Sequence, residues 1–403
     1  MPAVDPGLGS RFEIFCNVAR MEDGMPQDAA FDPVTTPTVP GRIGKTTGRC
    51  TARLPSITVC IATYNRPHYV RSCLESLRRQ SVGPDAFDIL VVDSCGTPET
   101  GEQLATIVAG MPNARLLRVD RPGVSAARNL GASESRADFV AYIDDDALAT
   151  ADWVESLRRV IAEHDPWPGV VGGRVLPVWE QPLPDWWPRS LRGVLSIIEW
   201  EGRGEFRTKA IPAGLEPYGV NMVVQREPLL EMGGFADRLG RFAGLLLSDE
   251  DVQVGWKLQD RGYSAWYDSR IVVRHQIQGT RMNPEWLIKR LYWQGASTVA
   301  TRRMLGQPEQ VWREFPRRLA VEVLTGFAGL VPASSTSLLP LRWRLAYAQG
   351  FTRMALANEQ RKRSLPGRAL RALIRRDGTP IIPALDIGAR AGVPDPTRPE
   401  ARR

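Results

Sequence analysis

Hydrophobic residues follow two alternating patterns between positions 56 and 276 of the chain. Short apolar runs, typical of strands covered on both faces, alternate with segments whose apolar residues recur every three or four positions, as in amphipathic helices. The strands predicted in this way are 57–63, 87–92, 114–119, 139–143, 169–175, 218–224 and 265–273. Strands that alternate with helices form parallel βαβ units, so the pattern predicts an α/β fold with a doubly wound sheet.

Segments of different composition flank this alternating region. Residues 1–54 are rich in Pro, Gly, Asp and Thr and predict a partly ordered extension, and residues 55–282 form the predicted main domain. Residues 283–376 predict basic amphipathic helices, the first of which has Pro284 in its first turn. The Pro-, Gly- and Arg-rich residues 377–403 predict a disordered tail.

Polar side chains follow three of the predicted strands at the point where each strand ends. They are Thr63 to Asn65 after the first strand, Asp93 after the second and Asp144 to Asp146 after 139–143. Because ligands bind at the carboxyl ends of the strands in open α/β sheets, these residues predict one site. Three adjacent carboxylates repel one another, so we expect a positive partner such as a divalent cation held by oxygen ligands. The alternative is a solvated acidic loop.

Four further residues extend this candidate site. Ser125 is expected to cap a helix whose N-terminal amides face the same edge, and Arg128 either reaches a base or diphosphate or lies on the surface of that helix. Asp251 opens a later predicted helix, where a carboxylate either complements the helix dipole or acts as a general base. His275 follows the last predicted strand and is a candidate third metal ligand.

A tryptophan-rich segment, residues 179–215, lies between the acidic triplet and Asp251. Its tryptophans either stack on a sugar or pack the segment against the core: Trp179, Trp186, Trp187 and Trp200. We expect contacts to an acceptor from this segment and from the helices after His275.

Composition and charge narrow the class of protein. With 403 residues, of which 43% are hydrophobic and 24% charged, the chain has the composition of a soluble globular protein. A net charge of +7 suits an anionic partner such as nucleotide phosphates or a membrane surface, although solubility alone also explains it. The five cysteines show no CxxC spacing, which argues against a zinc site and a disulfide framework and favours a reducing compartment.

The chain shows neither a signal peptide nor an apolar run of the roughly 20 residues that cross a bilayer, so we expect a cytoplasmic protein. The basic helices after residue 283 either make a peripheral contact with the anionic inner face of a membrane or present an ordinary solvated face. No nucleic-acid partner is expected.

Taken together, these segments resemble the family 2 glycosyltransferases, which are inverting enzymes with the GT-A fold, over roughly residues 56–306. The motifs that carry the resemblance are Val59–Arg66, Val91–Asp93, Gly123–Asn129, Tyr142–Asp146, Gly219–Asn221, Gly233–Phe235, Asp249–Asp251 and His275. The resemblance implies a mixed sheet with flanking helices, followed in this chain by a helical C-terminal extension.

The resemblance also implies a role for each matching residue. Those expected at the nucleotide sugar are Thr63, Tyr64, Asn65 and Arg66 in the nucleotide pocket, Asp93 at the uracil ring, Arg128 at the base or diphosphate, and Asp144 near the ribose. Those expected to hold Mg²⁺ or Mn²⁺ are Asp144, Asp146 and His275, whereas Asp145 is expected to point away from the metal. Asp251 matches the catalytic base.

The implied function is an inverting, metal-dependent transfer of a sugar from a nucleotide-diphosphate donor, a UDP-sugar, to a hydroxyl group. A glycan, a glycolipid precursor and a secondary metabolite all remain open as the acceptor. The residues after Asp93, Ser-Cys-Gly, depart from the family pattern and leave the preferred base open. Two alternatives to this function are a non-catalytic scaffold that binds nucleotide sugars and an aspartyl-type phosphotransferase or phosphatase.

Overall fold

The computed structural model describes residues 53–212, 214–237, 239–240 and 246–360, without the side chains of residues 358–360. Nearly all of the predicted extension 1–54 and the whole predicted tail 377–403 lie outside the described residues. So do residues 361–376 of the predicted basic helices. The predicted division of the chain at residues 282 and 283 stays a prediction.

Nine strands within the described residues form one mixed sheet. They are β1 (Ile57–Thr63), β2 (Phe87–Ser94), β3 (Ala114–Val119), β4 (Phe139–Ile143), β5 (Ala147–Ala149), β6 (Val170–Trp179), β7 (Arg203–Glu205), β8 (Asn221–Gln225) and β9 (Ala265–Ile277). The order across the sheet is β3-β2-β1-β4-β8-β6-β9-β5, and β7 pairs with β9. The predicted α/β class and the mixed sheet are thereby confirmed.

The first half of the sheet is parallel, as the alternating pattern predicted. β1 pairs in parallel with β2 and with β4, and its register places Thr63 beside Asp93 at the carboxyl ends of β1 and β2. The second half departs from the parallel expectation, because β8 runs antiparallel to both β4 and β6. A strand buried on both faces reads as an apolar run in either direction, so the sequence pattern does not encode this reversal.

Helices cover the sheet and continue beyond it. They are α1 (Pro67–Arg78), α2 (Pro98–Ala109), α3 (Val124–Glu134), α4 (Trp153–Ala162), α5 (Arg226–Glu231), α6 (Glu250–Asp260), α7 (Pro284–Met304), α8 (Pro308–Thr325) and α9 (Leu339–Gln360). Capping residues and prolines in the sequence determine where several of these helices start. Asn283, for example, accepts a hydrogen bond from the amide of Trp286, with Pro284 as the first helical residue. The helical C-terminal extension is thereby confirmed over α7, α8 and α9.

The start of α3 differs from the expectation. Gly123, with a φ of 133°, precedes the helix and no side chain caps it, so Ser125 is not the capping residue. The Ser125 hydroxyl instead donates to the carbonyl of Leu239 at 3.1 Å. A left-handed glycine that sets the chain direction leaves the capping position without a side chain.

Two apolar clusters support the region around the strand ends. The larger lies between the sheet and its helices and contains the fully buried Phe139, Tyr142, Trp153 and Tyr267. The second joins the tryptophan-rich segment to α7 and α9 through Leu191, Leu195, Leu287, Leu291 and Trp343. In the described part of the chain, no helix is both long and apolar enough to cross a membrane.

Helices α7 and α9 cross at a pair of glycines. A Cβ atom on Gly295 would lie 2.1 Å from the carbonyl oxygen of Tyr347, and one on Gly350 would lie 1.8 Å from that of Tyr292. Because such contacts are not tolerated, only glycine allows the two backbones to approach this closely. Helix α7 is thus held firmly where its side chains reach the site described below.

Candidate active site

Asp93 forms one end of the site, at the carboxyl end of β2. Its side chain is buried, and its Oδ1 accepts from the amide of Gly96 at 2.9 Å. A Cβ atom on Gly96 would lie 2.5 Å from that oxygen, so a glycine is required there. Oδ2 accepts no hydrogen bond from the described residues and lies 3.4 Å from the guanidinium of Arg118. One oxygen of a buried carboxylate is therefore able to accept a hydrogen bond from a ligand.

Tyr64 and Asn65 stand at the end of the neighbouring strand β1. Asn65 has a φ of 54°, a left-handed conformation that asparagine tolerates better than most residues. Its Oδ1 accepts from the amide of Thr97 at 2.9 Å and lies close to Gly96. The ring of Tyr64 is 56% exposed, so an aromatic surface is open to solvent beside this turn.

Asp145, which had no predicted partner, is fully buried and connects β4 to β1. Thr63 donates to its Oδ2 at 2.7 Å, and a guanidinium nitrogen of Arg66 lies 2.5 Å from its Oδ1. Burial raises the pKa of Asp145, and the charge of Arg66 opposes that rise. Thr63 and Arg66, both expected at the nucleotide, are thus engaged with the acidic triplet.

Asp146 is buried among positively charged and polar donors. Its Oδ2 accepts from Arg66 at 2.9 Å, from Gln278 at 2.7 Å and from Arg281 at 3.3 Å. Burial alone would raise its pKa, but His275 and the two arginines outweigh burial and hold the pKa of Asp146 well below its usual range. Asp146 is therefore ionised at neutral pH.

His275 faces the other oxygen of Asp146. It lies inside β9, not beyond its end as expected, and pairs with Ala147, so that the neighbouring Gln276 amide bonds to the Asp146 carbonyl. Its Nδ1 is 3.1 Å from the carbonyl oxygen of Leu195, which can only accept, so Nδ1 carries the proton of the neutral ring. Nε2 lies 3.3 Å from Asp146 Oδ1, where it either donates a second proton to the carboxylate, which lowers the pKa of Asp146, or offers a lone pair to a metal ion.

Two acceptors that face each other at this distance repel unless a proton or a metal ion lies between them. A carboxylate oxygen and an imidazole nitrogen are ligands that Mn²⁺ accepts, and Mg²⁺ commonly adds substrate phosphates and water to one or two protein ligands. The pair formed by Asp146 and His275 therefore fits a divalent cation.

Asp144 lies on Arg128, and its expected place in a three-ligand metal site stays a prediction. Among the described residues no group of three or more His, Cys, Asp or Glu side chains converges as a metal site. Asp144 instead accepts from the guanidinium of Arg128 at 3.1 Å, and its side chain is 36% exposed. A buried arginine needs carboxylate partners, and Arg128 turns Asp144 towards α3.

Arg128 also contacts the second acidic segment. Its guanidinium donates to Glu250 at 2.9 Å, and the residue is only 4% exposed, so the alternative that placed it on the helix surface is wrong. A Cβ atom on Gly219 would lie 2.2 Å from a guanidinium nitrogen. Only a glycine at position 219 therefore lets the backbone pack this closely against Arg128.

Asp251 lies in the first turn of α6 and is half-buried. Its Oδ2 accepts from the amide of Gly219 at 2.7 Å, and its Oδ1 accepts from that of Val252 at 2.8 Å. Each oxygen keeps a lone pair, because one carboxylate oxygen can accept two hydrogen bonds. The side chain is thus held by two backbone amides and can still accept a proton.

The family model "Glycosyl transferase family 2" matches residues 58–218, from the second residue of β1 to beyond β7, and includes the first acidic triplet. The matched region of the chain is a family 2 glycosyltransferase domain. The mixed sheet and flanking helices agree with the GT-A fold that the resemblance implied.

Two relatives match this glycosyltransferase over longer stretches than the family model does. A protein of Haloferax volcanii, glucosyl-dolichyl phosphate glucuronosyltransferase, is 28% identical over 244 residues, 60% of this chain and 75% of that protein. Glycosyltransferase AglE of the same organism is 25% identical over 229 residues, 56% of this chain and 68% of its own. A mannosyltransferase of Pyrobaculum calidifontis, solved with GDP-mannose and Mn²⁺, has a TM-score of 0.46 and 21% identity, covering 80% of this chain and 79% of that one.

Four residues of the glycosyltransferase site were missed in the sequence. Gln278 and Arg281 follow β9, and polar residues after a strand end were the available signal. Gln294 on α7 donates to Asp249 at 3.0 Å. Glu216 is buried and accepts from the indole of Trp256 at 2.9 Å, and burial raises its pKa to about 8. No periodicity marks a lone glutamate in an irregular segment.

The tryptophan-rich segment supplies packing at two of its tryptophans. Trp187 is 4% exposed and lies 5.5 Å from Trp186 and 6.2 Å from Trp286, ring centroid to ring centroid. Trp200 lies 5.2 Å from Tyr267. Stacking among these rings favours the packing alternative for Trp187 and Trp200.

Proposed function

We propose that this glycosyltransferase moves a sugar from a UDP-sugar to an acceptor hydroxyl with inversion, and that Asp251 is the base. The observation that carries the proposal is Arg128, which joins the first acidic triplet through Asp144 to the second through Glu250. A donor held at the first triplet therefore lies next to the acceptor side at Asp251.

The donor base is proposed to bind at Asp93. Uracil has an N3–H donor, and Asp93 Oδ2 is a buried acceptor without a hydrogen bond from the described residues. The exposed ring of Tyr64 offers a surface on which the base can stack. Guanine also presents N–H donors, so the choice of UDP over GDP is part of what the experiment below decides.

The diphosphate is proposed to lie beside Asp146, with Mg²⁺ or Mn²⁺ held by Asp146 Oδ1 and His275 Nε2. When bound, such an ion stabilises the negative charge that develops on the leaving diphosphate. Arg66 and Arg281 hold the opposite oxygen of Asp146, which fixes the carboxylate orientation. Arg66 is 32% exposed and can also face an anionic ligand.

Asp251 takes the proton of the acceptor hydroxyl as the oxygen attacks the anomeric carbon. The bond from that carbon to the diphosphate oxygen breaks in the same step, so the configuration inverts and UDP leaves. The amides of Gly219 and Val252 keep the carboxylate in place during the transfer.

A glycolipid precursor is the acceptor we favour among the three that the sequence left open. The Haloferax volcanii relative is named for action on glucosyl-dolichyl phosphate, a lipid-linked sugar, and matches this chain over 75% of its own length. The proposed acceptor is accordingly a polyprenyl-phosphate-linked sugar.

Nucleotide release from a panel of UDP- and GDP-sugars, with Mn²⁺ or with chelator and with a polyprenyl-phosphate-linked sugar as acceptor, tests the proposal. We expect turnover with one UDP-sugar, dependence on the metal, and an inverted anomeric configuration by NMR. Retention of configuration would refute the single displacement, and turnover with GDP-sugars alone would refute the uracil site. Binding of donors without any turnover would favour the scaffold alternative.

A further inference from the structure

Helix α8 exposes an apolar face to solvent. Residues spaced by three or four positions along the helix share this face, and together they form what we call the α8 patch: Trp312, Pro316, Leu319, Ala320, Val323 and Leu324. Val323 and Leu324 are each 73% exposed, and Leu319 is 44% exposed. Soluble helices bury such a stripe, and a contiguous exposed apolar surface marks an interaction site.

The inward face of α8 is held by ion pairs. Glu314 lies 2.6 Å from Arg302 and 3.0 Å from Arg318, and Arg318 is buried. Glu322 accepts from the hydroxyl of Thr352 at 2.8 Å. The helix is therefore anchored to its neighbours by its polar side, which leaves its apolar side outward.

The exposed apolar surface continues past the end of α8. The short 3-10 helix Gly326–Leu330 carries Phe327, which is 55% exposed, and Leu330, which is 83% exposed. Five large apolar side chains in a stretch of twelve residues thus face solvent: Leu319, Val323, Leu324, Phe327 and Leu330.

We propose that the α8 patch docks on the surface of an anionic lipid bilayer, with α8 lying in the plane of the interface. Arg313 and Arg317 are exposed on α8 beside the patch, whereas Glu314 and Glu322 are turned inward. An apolar face bordered by arginines complements a surface with negatively charged headgroups above an apolar interior. Long arginine side chains can reach the headgroups while the apolar residues enter the boundary below them.

A second copy of the chain fits the α8 patch less well. A two-fold contact places the same surface of both copies against each other, so Arg313 and Arg317 would lie near the same arginines of the second copy. Beside them, Glu309 is the one exposed acidic residue among the described residues of α8. A bilayer instead offers negative charge to every arginine at once.

The docking surface lies on one of the basic helices expected from the sequence, but apolar residues make up most of it. Arg342 lies within the predicted basic helices but is only 5% exposed, and its guanidinium donates to the backbone carbonyls of Ser335 and Ala333. The apolar residues of α8 therefore supply the surface, and Arg313 and Arg317 supply its charge. This inference does not depend on the identity of the donor or the acceptor.

Flotation of the full-length protein with vesicles tests the inference without an activity assay. We expect binding to vesicles of phosphatidylcholine with phosphatidylglycerol and weaker binding to phosphatidylcholine alone. The double variant Val323→Ser/Leu324→Ser should lower the affinity by more than about tenfold, since each side chain loses apolar contact with the membrane. The double variant Arg313→Gln/Arg317→Gln should lose only the preference for anionic vesicles.

Leu230→Ser is the matched control, because Leu230 is a 38% exposed leucine on α5, outside the α8 patch. We expect it to float as the unchanged protein does. Equal flotation of the Val323/Leu324 variant, or no binding to anionic vesicles, would overturn the inference. So would light scattering that shows a dimer which dissociates in that variant, since a second copy would then occupy the patch.

Discussion

Two acidic triplets, Asp144–Asp146 and Asp249–Asp251, have nearly the same composition but opposite surroundings. In the first, Arg66, Arg281 and His275 surround Asp146 and hold its pKa well below the usual range. In the second, burial prevails, so that the pKa of Asp249 rises to about 6 and that of Glu250 to about 7. Asp146 is therefore a fixed negative charge, whereas burial raises the pKa of Asp249 and Glu250, as it does for Asp145 of the first triplet.

The difference follows from what each triplet packs against. The first triplet leads from β4 into β5, which pairs with β9, and the residues after β9 bring Gln278 and Arg281 to Asp146. The start of α6 lies against α7, which offers the neutral amide of Gln294 to Asp249. Asp249 itself has a φ of 76°, a conformation that aspartate tolerates, and this strained turn comes two residues before the proposed base Asp251.

The largest expected effect is the loss of turnover when Asp251, the proposed base of the second triplet, is replaced. Asp251→Asn removes the proton acceptor but keeps an oxygen for the Gly219 amide, so we expect kcat to fall by about 10³ with nucleotide affinity unchanged. Steady-state kinetics and calorimetry with UDP measure the two quantities. Asp260→Asn, at the exposed end of the same helix, is the control. Turnover at the wild-type rate would remove Asp251 from the role of base.

Removal of the bridge between the triplets is expected to cost stability. Arg128→Met leaves Asp144 and Glu250 without their shared cation, and the loss of one partner of a buried ion pair lowers the free energy of unfolding by about 3 kcal/mol. Urea denaturation measures this loss. Glu250→Gln in the same chain should restore part of it, since no buried charge is then left unpaired at that position.

Arg159→Met is the control for the bridge, because Arg159 forms an exposed pair with Glu155 on α4. We expect that variant to change the unfolding free energy by less than about 1 kcal/mol. An Arg128 variant as stable as the Arg159 variant would show that the two triplets are not coupled through this residue.

Loss of a proposed metal ligand is expected to have a smaller effect, a reduced affinity for the donor. Asp146→Ala removes one of the two proposed ligands, so we expect affinity for the donor in the presence of Mn²⁺ to fall by about tenfold or more, with little change when metal is absent. Calorimetry with and without Mn²⁺ measures both. Asp152→Ala, an exposed aspartate before α4, should bind as the unchanged protein does. Unchanged affinity with metal would refute the ligand role of Asp146.

The smallest expected effect is on the pH dependence of stability, and it comes from Glu216 near the second triplet. Burial raises the pKa of Glu216 from 4.5 to about 8, so between these values the folded state binds more protons than the unfolded state. The free energy of unfolding therefore falls as pH rises through that window. Glu216→Gln should make the melting temperature less dependent on pH, measured between about pH 5 and about pH 8. Glu201→Gln, at an exposed glutamate, should keep the original slope.

Much of the donor side could be predicted from short stretches of sequence. The apolar runs gave β1, β3 and β4 with the observed ends, and parallel pairing then places Thr63 beside Asp93. Asp251 could be identified as a residue at a helix start, because a helix and its first turn are local features. What each carboxylate contacts could not be predicted in this way. Asp144 was expected at a metal and lies on Arg128, and Asp145 was left without a partner and bonds to Thr63.

The sequence by itself determined which segments are strands and helices and which of their ends carry carboxylates, since these depend on residues close together in the chain. The tertiary structure alone decided that β8 reverses direction and that Arg128 joins the two triplets. Charge balance at a buried group depends on side chains more than a hundred residues away, as Arg128 and Glu250 are. Local composition does not specify such partners. The two triplets are therefore alike in the sequence and unlike in the folded protein.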